Sequence, residues 1–333
     1  GAKAPPVCYN AAMYYYSYNE AMQRLFGEKV YKLSLSSGCS CPNRDGTVGT
    51  GGCTYCNNLS FSPGYCRPVK GVAGQLEEGK RFFARKYPAM RYLAYFQSFS
   101  NTYGPLEKLK ALYEEALMHP MVVGIVIGTR PDCVDEEKLD YLAALAKGEA
   151  MPGWSRNING EERHAPIVIV EYGIESCYDE TLLRINRGHD FETARRAVQM
   201  TAERGIDVGV HFILGLPGET RQMMLDSCAL INGLPIRSVK FHQLQIFKDT
   251  LMAEEYLNKP EAFHLFTLED YIEFVIDFTE RLNSDLVIER FAGEVPPRFV
   301  NETPWGLIRN VELLRLLDLR LQERQTWQGR ATE

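Results

Sequence analysis

No run of apolar residues in this chain is long enough to cross a bilayer, which predicts a protein without membrane spans. Basic charge is not concentrated either. The 37 Lys and Arg are dispersed and outnumbered by 43 Asp and Glu, for a formal net charge of -6, so bulk charge leaves no nucleic-acid footprint. The start lacks the basic, apolar and small-residue regions of a secretory signal, and the opening Gly-Ala reads as a processing scar. Low-complexity stretches and sequence repeats are also missing. The nine cysteines are an odd number whose main group is spaced as for a metal, which argues against a secreted disulfide framework and predicts a reducing, cytoplasmic compartment.

What is present is an alternation of two periodicities. At 333 residues and 45% hydrophobic content the chain can bury one large core or two smaller ones. Short apolar runs at 31–35, 92–98, 122–128, 167–173, 207–215 and 238–247 read as buried strands. Between them, segments such as PLEKLKALYEEALMH, DEEKLDYLAALAK and ETARRAVQMTAERG carry apolar residues at helical spacing, several with acidic starts. Six βα units in succession imply a parallel α/β sheet with right-handed crossovers, as a partial barrel in preference to a doubly wound sheet. Residues 148–165 are polar and rich in turn formers, and read as a surface excursion. The expected organisation is a helical lead over 1–30, the partial barrel over 31–250 and a mostly helical extension over 251–333 packed on it. Tyr14, Tyr15, Tyr16 and Tyr18 of the lead are read as packing residues in preference to a base-stacking platform.

The chemistry concentrates in GCSCPNRDGTVGTGGCTYC, directly after the first strand. Cys53 and Cys56 form a CxxC pair, and Cys41 lies upstream across a loop of Gly, Asn and Asp. Three thiolates suit an iron-sulfur cluster with one iron left open. Adding Cys39 makes four, enough for a structural zinc in a non-catalytic binding protein, although Cys39-x-Cys41 is tighter than the usual zinc spacing. The loop leaves the carboxyl end of a strand, where ligands gather in parallel α/β folds. Cys8, Cys66, Cys133, Cys177 and Cys228 are scattered and read as inert thiols.

The run CPNRDGTVGTGGCTYC, followed in order by YFQSFSNTYGP, IGTRPDCV, VEYGIES, INRGHDF and HFILGLPGET, resembles the radical S-adenosylmethionine enzymes. Within them it is similar to the YhcC-like subgroup, related to the Elongator catalytic subunit and to oxygen-independent coproporphyrinogen III dehydrogenase. The resemblance spans roughly residues 14–300 and implies a partial (β/α)6 TIM-like barrel of the radical SAM type. It further implies that Cys41, Cys53 and Cys56 bind a 4Fe-4S cluster whose fourth iron is chelated by S-adenosylmethionine, with Cys39 spare. The reaction would be reductive cleavage to a 5'-deoxyadenosyl radical that abstracts hydrogen from substrate. By the same resemblance Gln97, Ser98, Asn101 and Thr102 face the cofactor's amino acid part, although the glycine pair common there is absent. Arg187 pairs with its carboxylate; Glu175 and His211 meet the ribose in place of the usual amide and acid. Ile213, the 215–218 turn, Gln243 and Leu244 adjoin the adenine. Thr129, Arg130 and Asp132 orient cofactor or substrate, or Arg130 and Asp132 form a structural pair. A flavodoxin-type or ferredoxin-type electron donor is implied. The substrate is left open between RNA and a small molecule, and no catalytic residue is singled out. Sulfur insertion would require a second cluster, for which the remaining cysteines show no grouped motif.

Overall fold

The computed structural model describes residues 14–60, 62–84, 91–302, 305–306 and 308–332. Cys8 and the Gly-Ala opening lie outside the described residues. Strands β1 (Val30–Leu35), β2 (Arg91–Phe96) and β3 (Val122–Thr129) are followed by a small antiparallel hairpin, β4 (Arg156–Ile158) with β5 (Glu161–Arg163). Then come β6 (Ile167–Glu175), β7 (Asp207–Leu214), β8 (Ser238–Gln243) and β9 (Val287–Arg290). Helices α1 (Tyr18–Phe26), α2 (Gly71–Ala84), α3 (Leu106–Met118), α4 (Glu136–Ala146), α5 (Asp179–Arg184), α6 (Phe191–Glu203) and α7 (Arg221–Asn232) belong to the lead and the crossovers. Helices α8 (Leu251–Asn258), α9 (Leu268–Thr279) and α10 (Asn310–Arg324) follow the sixth strand of the main sheet. The expected excursion at 148–165 therefore contains the hairpin.

Among the described residues the main sheet has seven strands in the order β1-β2-β3-β6-β7-β8-β9, and every neighbouring pair is parallel. The first six are those expected from the apolar runs. The seventh, β9, comes from within the extension, which thus adds a strand to the sheet as well as packing on it. A flat sheet would hold its two edge strands about 29 Å apart at the usual strand spacing. Instead Lys32 Nζ on β1 lies 2.5 Å from Glu289 Oε2 on β9. The sheet is curled into a half-barrel, and side chains of its opposite edges meet in the lumen.

Burial follows from the layering. All eight residues of β3 are buried because helices cover one face of the sheet while the lumen side chains fill the other. Gly124 permits the tight β3–β6 approach, since a Cβ there would stand 2.3 Å from the Ile167 carbonyl oxygen. Asp135, Asp190, Thr220 and Thr267 cap α4, α6, α7 and α9 by accepting a backbone N–H three residues on. Helix α1 closes one end of the half-barrel. Its Ala21, Met22 and Phe26 pack with Val30, Leu93, Tyr95 and Val287, so it touches both edge strands. The tyrosines of the lead are packed as expected: Tyr14 and Tyr15 lie against the main core, Tyr15 edge-on to Phe291 at 4.8 Å.

Candidate active site

The loop after β1 is held by its own backbone. Arg44 N–H donates to the Cys41 carbonyl at 2.8 Å, Gly52 N–H to that of Asn43 at 2.8 Å, and Cys56 N–H to that of Cys53 at 3.0 Å. Gly52 has φ +85°, and a Cβ there would stand 2.8 Å from Arg44 Nε. Its absence lets Arg44 cross the loop and donate to the Cys56 carbonyl at 2.9 Å.

This fold carries Cys41, Cys53 and Cys56 to the wall of one cavity at the carboxyl ends of the strands. Each sulfur faces a nitrogen donor. Arg130 Nη1 is 4.0 Å from Cys41, Arg187 Nη1 is 3.5 Å and Asn43 Nδ2 3.7 Å from Cys53, and Asn58 Nδ2 is 3.5 Å from Cys56. Burial pushes the Cys56 thiol up, and the neighbouring Cys53 adds to the shift. Three sulfurs on one cavity wall, each met by a nitrogen donor, fit a cationic centre shared among them. Among the described residues no three His, Cys, Asp or Glu side chains gather around a point that could hold a single metal ion. Cys39 is 7% exposed, belongs to the main hydrophobic core and does not line the cavity. The four-cysteine zinc arrangement therefore does not assemble.

Of the residues expected to meet a cofactor, Gln97, Ser98, Glu175, Arg187, His211, Ile213, Gln243 and Leu244 line this same cavity. Arg187 is buried; its Nη2 donates to the Gly173 carbonyl and lies 3.8 Å from Glu175 Oε1, while its Nε has no partner. Glu175 sits at the β6–β7 irregularity with φ +76°, a strained value for a residue with a side chain. Burial raises its carboxyl pKa against the pull of Arg187. Gly173 makes room for both, since a Cβ there would meet Glu175 Oε1 at 2.5 Å and Arg187 Nη2 at 2.8 Å. Ile213 and Leu244 form an apolar shelf with Tyr55. Gln97 is held by Ser34 Oγ at 3.0 Å, and Ser98 by Ser62 at 2.7 Å.

Other expectations are placed differently. Asn101 and Thr102 do not line the cavity. Asn101 Nδ2 donates to the carbonyls of Phe96 and Gly128, and Thr102 Oγ1 bonds Thr129 and the Cys133 carbonyl, so both tie the β2 and β3 ends together. Gln243 lines the wall, but its amide is engaged by Gly293 through both N–H and carbonyl, at 2.7 and 3.1 Å. The 215–218 turn stands outside the cavity: the Cα of Gly215, at φ +91°, faces Phe266 of the extension. It serves as the strand-to-helix turn before the Thr220 cap. Arg130 and Asp132 form a bidentate pair at 2.8 and 2.7 Å, and Arg130 still reaches the cavity.

The structure adds a set that the motifs did not single out, on the strand interiors below the loop. Glu171 on β6 bonds Lys32, Lys240 Nζ at 2.9 Å and His211 Nε2 at 2.8 Å. Lys32 also pairs with Glu289, and Lys240 lies 3.3 Å from the Tyr95 hydroxyl. Burial opposes ionisation of Glu171, but Lys240 and Lys32 outweigh it and hold the carboxyl well below its ordinary range. Burial, then Lys240, pushes His211 down to about 4. His242 and Arg290 complete this floor, with Arg290 Nη2 2.8 Å from His242 Nε2. The signal was available as charged residues inside otherwise apolar strands, in VYKLSL, IVIVEYG and SVKFHQ.

Comparison with known proteins bears on the fold and the family. Residues 161–231 match the Radical SAM superfamily and 236–323 match the Radical_SAM C-terminal domain. Protein YtqA of Bacillus subtilis is 32% identical over 321 residues, covering 96% of this chain and 94% of its own. Protein YhcC of Escherichia coli K12 is 38% identical over 252 residues, 75% of this chain and 74% of its own. In fold, the chain is similar to the Elp3 of Methanocaldococcus infernus with an N-terminal deletion, with TM-score 0.62 and 16% identity, over 90% of this chain and 64% of that one. With three thiols at the strand ends of a parallel half-barrel and relatives matched along nearly its whole length, the chain belongs to the radical SAM superfamily, in the family of YtqA and YhcC.

Proposed function

We propose that Cys41, Cys53 and Cys56 hold three irons of a 4Fe-4S cluster and that S-adenosylmethionine binds the fourth. The observation that carries this reading is the donor facing each of these three sulfurs, while Cys39 is packed in the core. When bound, the pair supplies reductive cleavage of the sulfonium to methionine and a 5'-deoxyadenosyl radical, which abstracts hydrogen from substrate.

The chain's own residues divide the remaining work. Arg187, with an unpartnered Nε, pairs with the cofactor carboxylate, and Gly173 leaves space for its approach. Gln97 and Ser98 meet the amino acid part. Glu175 accepts from the ribose hydroxyls, on the cavity wall beside Arg187. Ile213 and Leu244 support the adenine, with Gln243 bracing that wall against Gly293. His211 is uncharged at neutral pH and bound to Glu171 through Nε2, so it presents a neutral edge to the ribose side. Residues 31–250 carry this chemistry, 1–30 lead into it, and 251–333 complete the wall. Electrons come from a flavodoxin-type or ferredoxin-type donor.

Anaerobic reconstitution with iron and sulfide tests the assignment. Wild type should bind about four irons per chain, as one such cluster requires, and release 5'-deoxyadenosine from S-adenosylmethionine with dithionite. Cys53→Ala should lose both, whereas Cys39→Ala should retain both. Full iron and cleavage in the Cys53 variant would sink the assignment.

A further inference from the structure

The lumen floor carries one more cation than anions. Its cations are Lys32, Lys240 and Arg290, and its anions Glu171 and Glu289. The two lysines are shared between the two glutamates at 2.9, 3.5 and 2.5 Å, with Lys32 also on Glu171. That set of four is neutral. Both histidines of the floor stay uncharged at neutral pH: burial holds His211 near 4 and, together with Arg290, holds His242 well below its ordinary value. Arg290 is left over. Among the described residues it forms no ion pair, its Nε is enclosed with no hydrogen-bond partner, and its Nη2 rests on the His242 ring. Yet its guanidinium lines the cavity that holds the three thiols. Glu289 and Glu171 act on it only from a distance, and enclosing a guanidinium without a direct ion pair is costly, since arginine does not relieve it by losing its proton.

From this imbalance we infer that the floor is a substrate subsite: Arg290, flanked by His242, receives a carboxylate carried by the substrate. The inference rests on the radical S-adenosylmethionine reading of the cavity mouth and deepens it. Position separates the two roles. Arg187 stands at the loop, 3.5 Å from Cys53, whereas Arg290 is the last residue of β9, the edge strand that meets β1 through Glu289 and Lys32. A group held by Arg290 shares one cavity with the proposed cofactor site, so the substrate's neighbouring C–H bonds face the same space. The magnitude of the imbalance favours a monoanion. One unit of charge is missing, as a carboxylate supplies, while a phosphate monoester brings about 1.5 to 2 units at neutral pH. The guanidinium fork also matches two carboxylate oxygens. The carboxylate belongs either to a free metabolite or to a slender group on a larger carrier, since α1 covers the amino ends of β1 and β9 beneath the floor.

The test uses reconstituted protein with S-adenosylmethionine, kept anaerobic. Binding of acetate, succinate, succinamide, inorganic phosphate and an RNA oligonucleotide whose only charges are phosphodiesters is measured by calorimetry and thermal shift. Iron content and 5'-deoxyadenosine release are recorded in parallel; their loss overturns the mouth reading, while their retention isolates the floor. Succinate should bind and succinamide should not. Arg290→Gln should weaken succinate by about tenfold or more with unchanged iron content, and Arg290→Lys should retain part of the affinity. Succinate alone should compete with a free-metabolite substrate; a carrier-borne carboxylate predicts that acetate, the smaller probe, binds at least as well. Equal response to succinate and succinamide, loss of no affinity in Arg290→Gln, or Arg290-dependent binding of phosphate or the RNA in place of carboxylates overturns the proposal. Should Arg290→Gln not fold, Arg290→Lys carries the test, and a carboxylate affinity indifferent to that change also overturns it.

Discussion

His211 is fixed by three neighbours that pull in opposite senses: Glu171 at 2.8 Å, Lys240 at 3.3 Å and the His242 ring at 5.9 Å. Burial and Lys240 together lower its pKa from 6.5 to about 4. A histidine whose folded pKa lies below its unfolded value binds fewer protons when folded, so stability falls as pH drops from 6.5 toward 4, by about 3 kcal/mol. His211→Asn should remove that part of the pH dependence, measured by anaerobic urea unfolding at a series of pH values; an unchanged slope would show that His211 titrates freely. The residue-scale roles were unevenly legible in the sequence. The thiols stand in a local motif, but their donors Asn43, Asn58, Arg130 and Arg187 come from three segments of the chain. The resemblance puts Asn101 and Thr102 at the cofactor's amino acid part, whereas in the structure their side chains bond backbone carbonyls at the β2 and β3 ends.

At the scale of elements, the parallel strands are held at a separation that a single methyl group would change. Gly124 of β3 faces the Ile167 carbonyl, so Gly124→Ala must part β3 from β6. A loss of about 1 to 3 kcal/mol is expected for such overpacking, read as a lower urea midpoint, and cofactor cleavage per cluster should persist in the folded fraction. No loss of stability would mean that the strands part without cost. The six principal strands were readable because each is an apolar run bounded by helical periodicity. Strand β9 was harder: four residues, two of them charged, give little period-two signal, and only pairing with β8 and the Lys32 contact make it a lumen strand. The 215–218 turn was legible as a turn, but its neighbour, Phe266, lies some fifty residues on in the chain and could not be read locally.

For the molecule as a whole, the extension and the barrel are interdependent. Removal of residues 251–333 would take β9, Glu289 and Arg290 from the lumen and leave Lys32 and Lys240 sharing Glu171 alone. It would also expose apolar surface by removing α9, whose Tyr271, Phe274, Ile276 and Phe278 are buried. A chain ending at residue 250 should therefore be insoluble or lack cooperative thermal unfolding; a soluble, cooperatively folding fragment would show that the half-barrel stands without its seventh strand. The sequence by itself determined the parallel α/β class, the cysteine loop at a strand end and the family, because periodicity and short motifs are local properties. Only the tertiary structure decided that Cys39 belongs to the core, that the sheet's two edges meet through Lys32 and Glu289, and that one guanidinium is left unbalanced. Those outcomes depend on which distant side chains share a low-dielectric space, and the curl of the sheet brings them together.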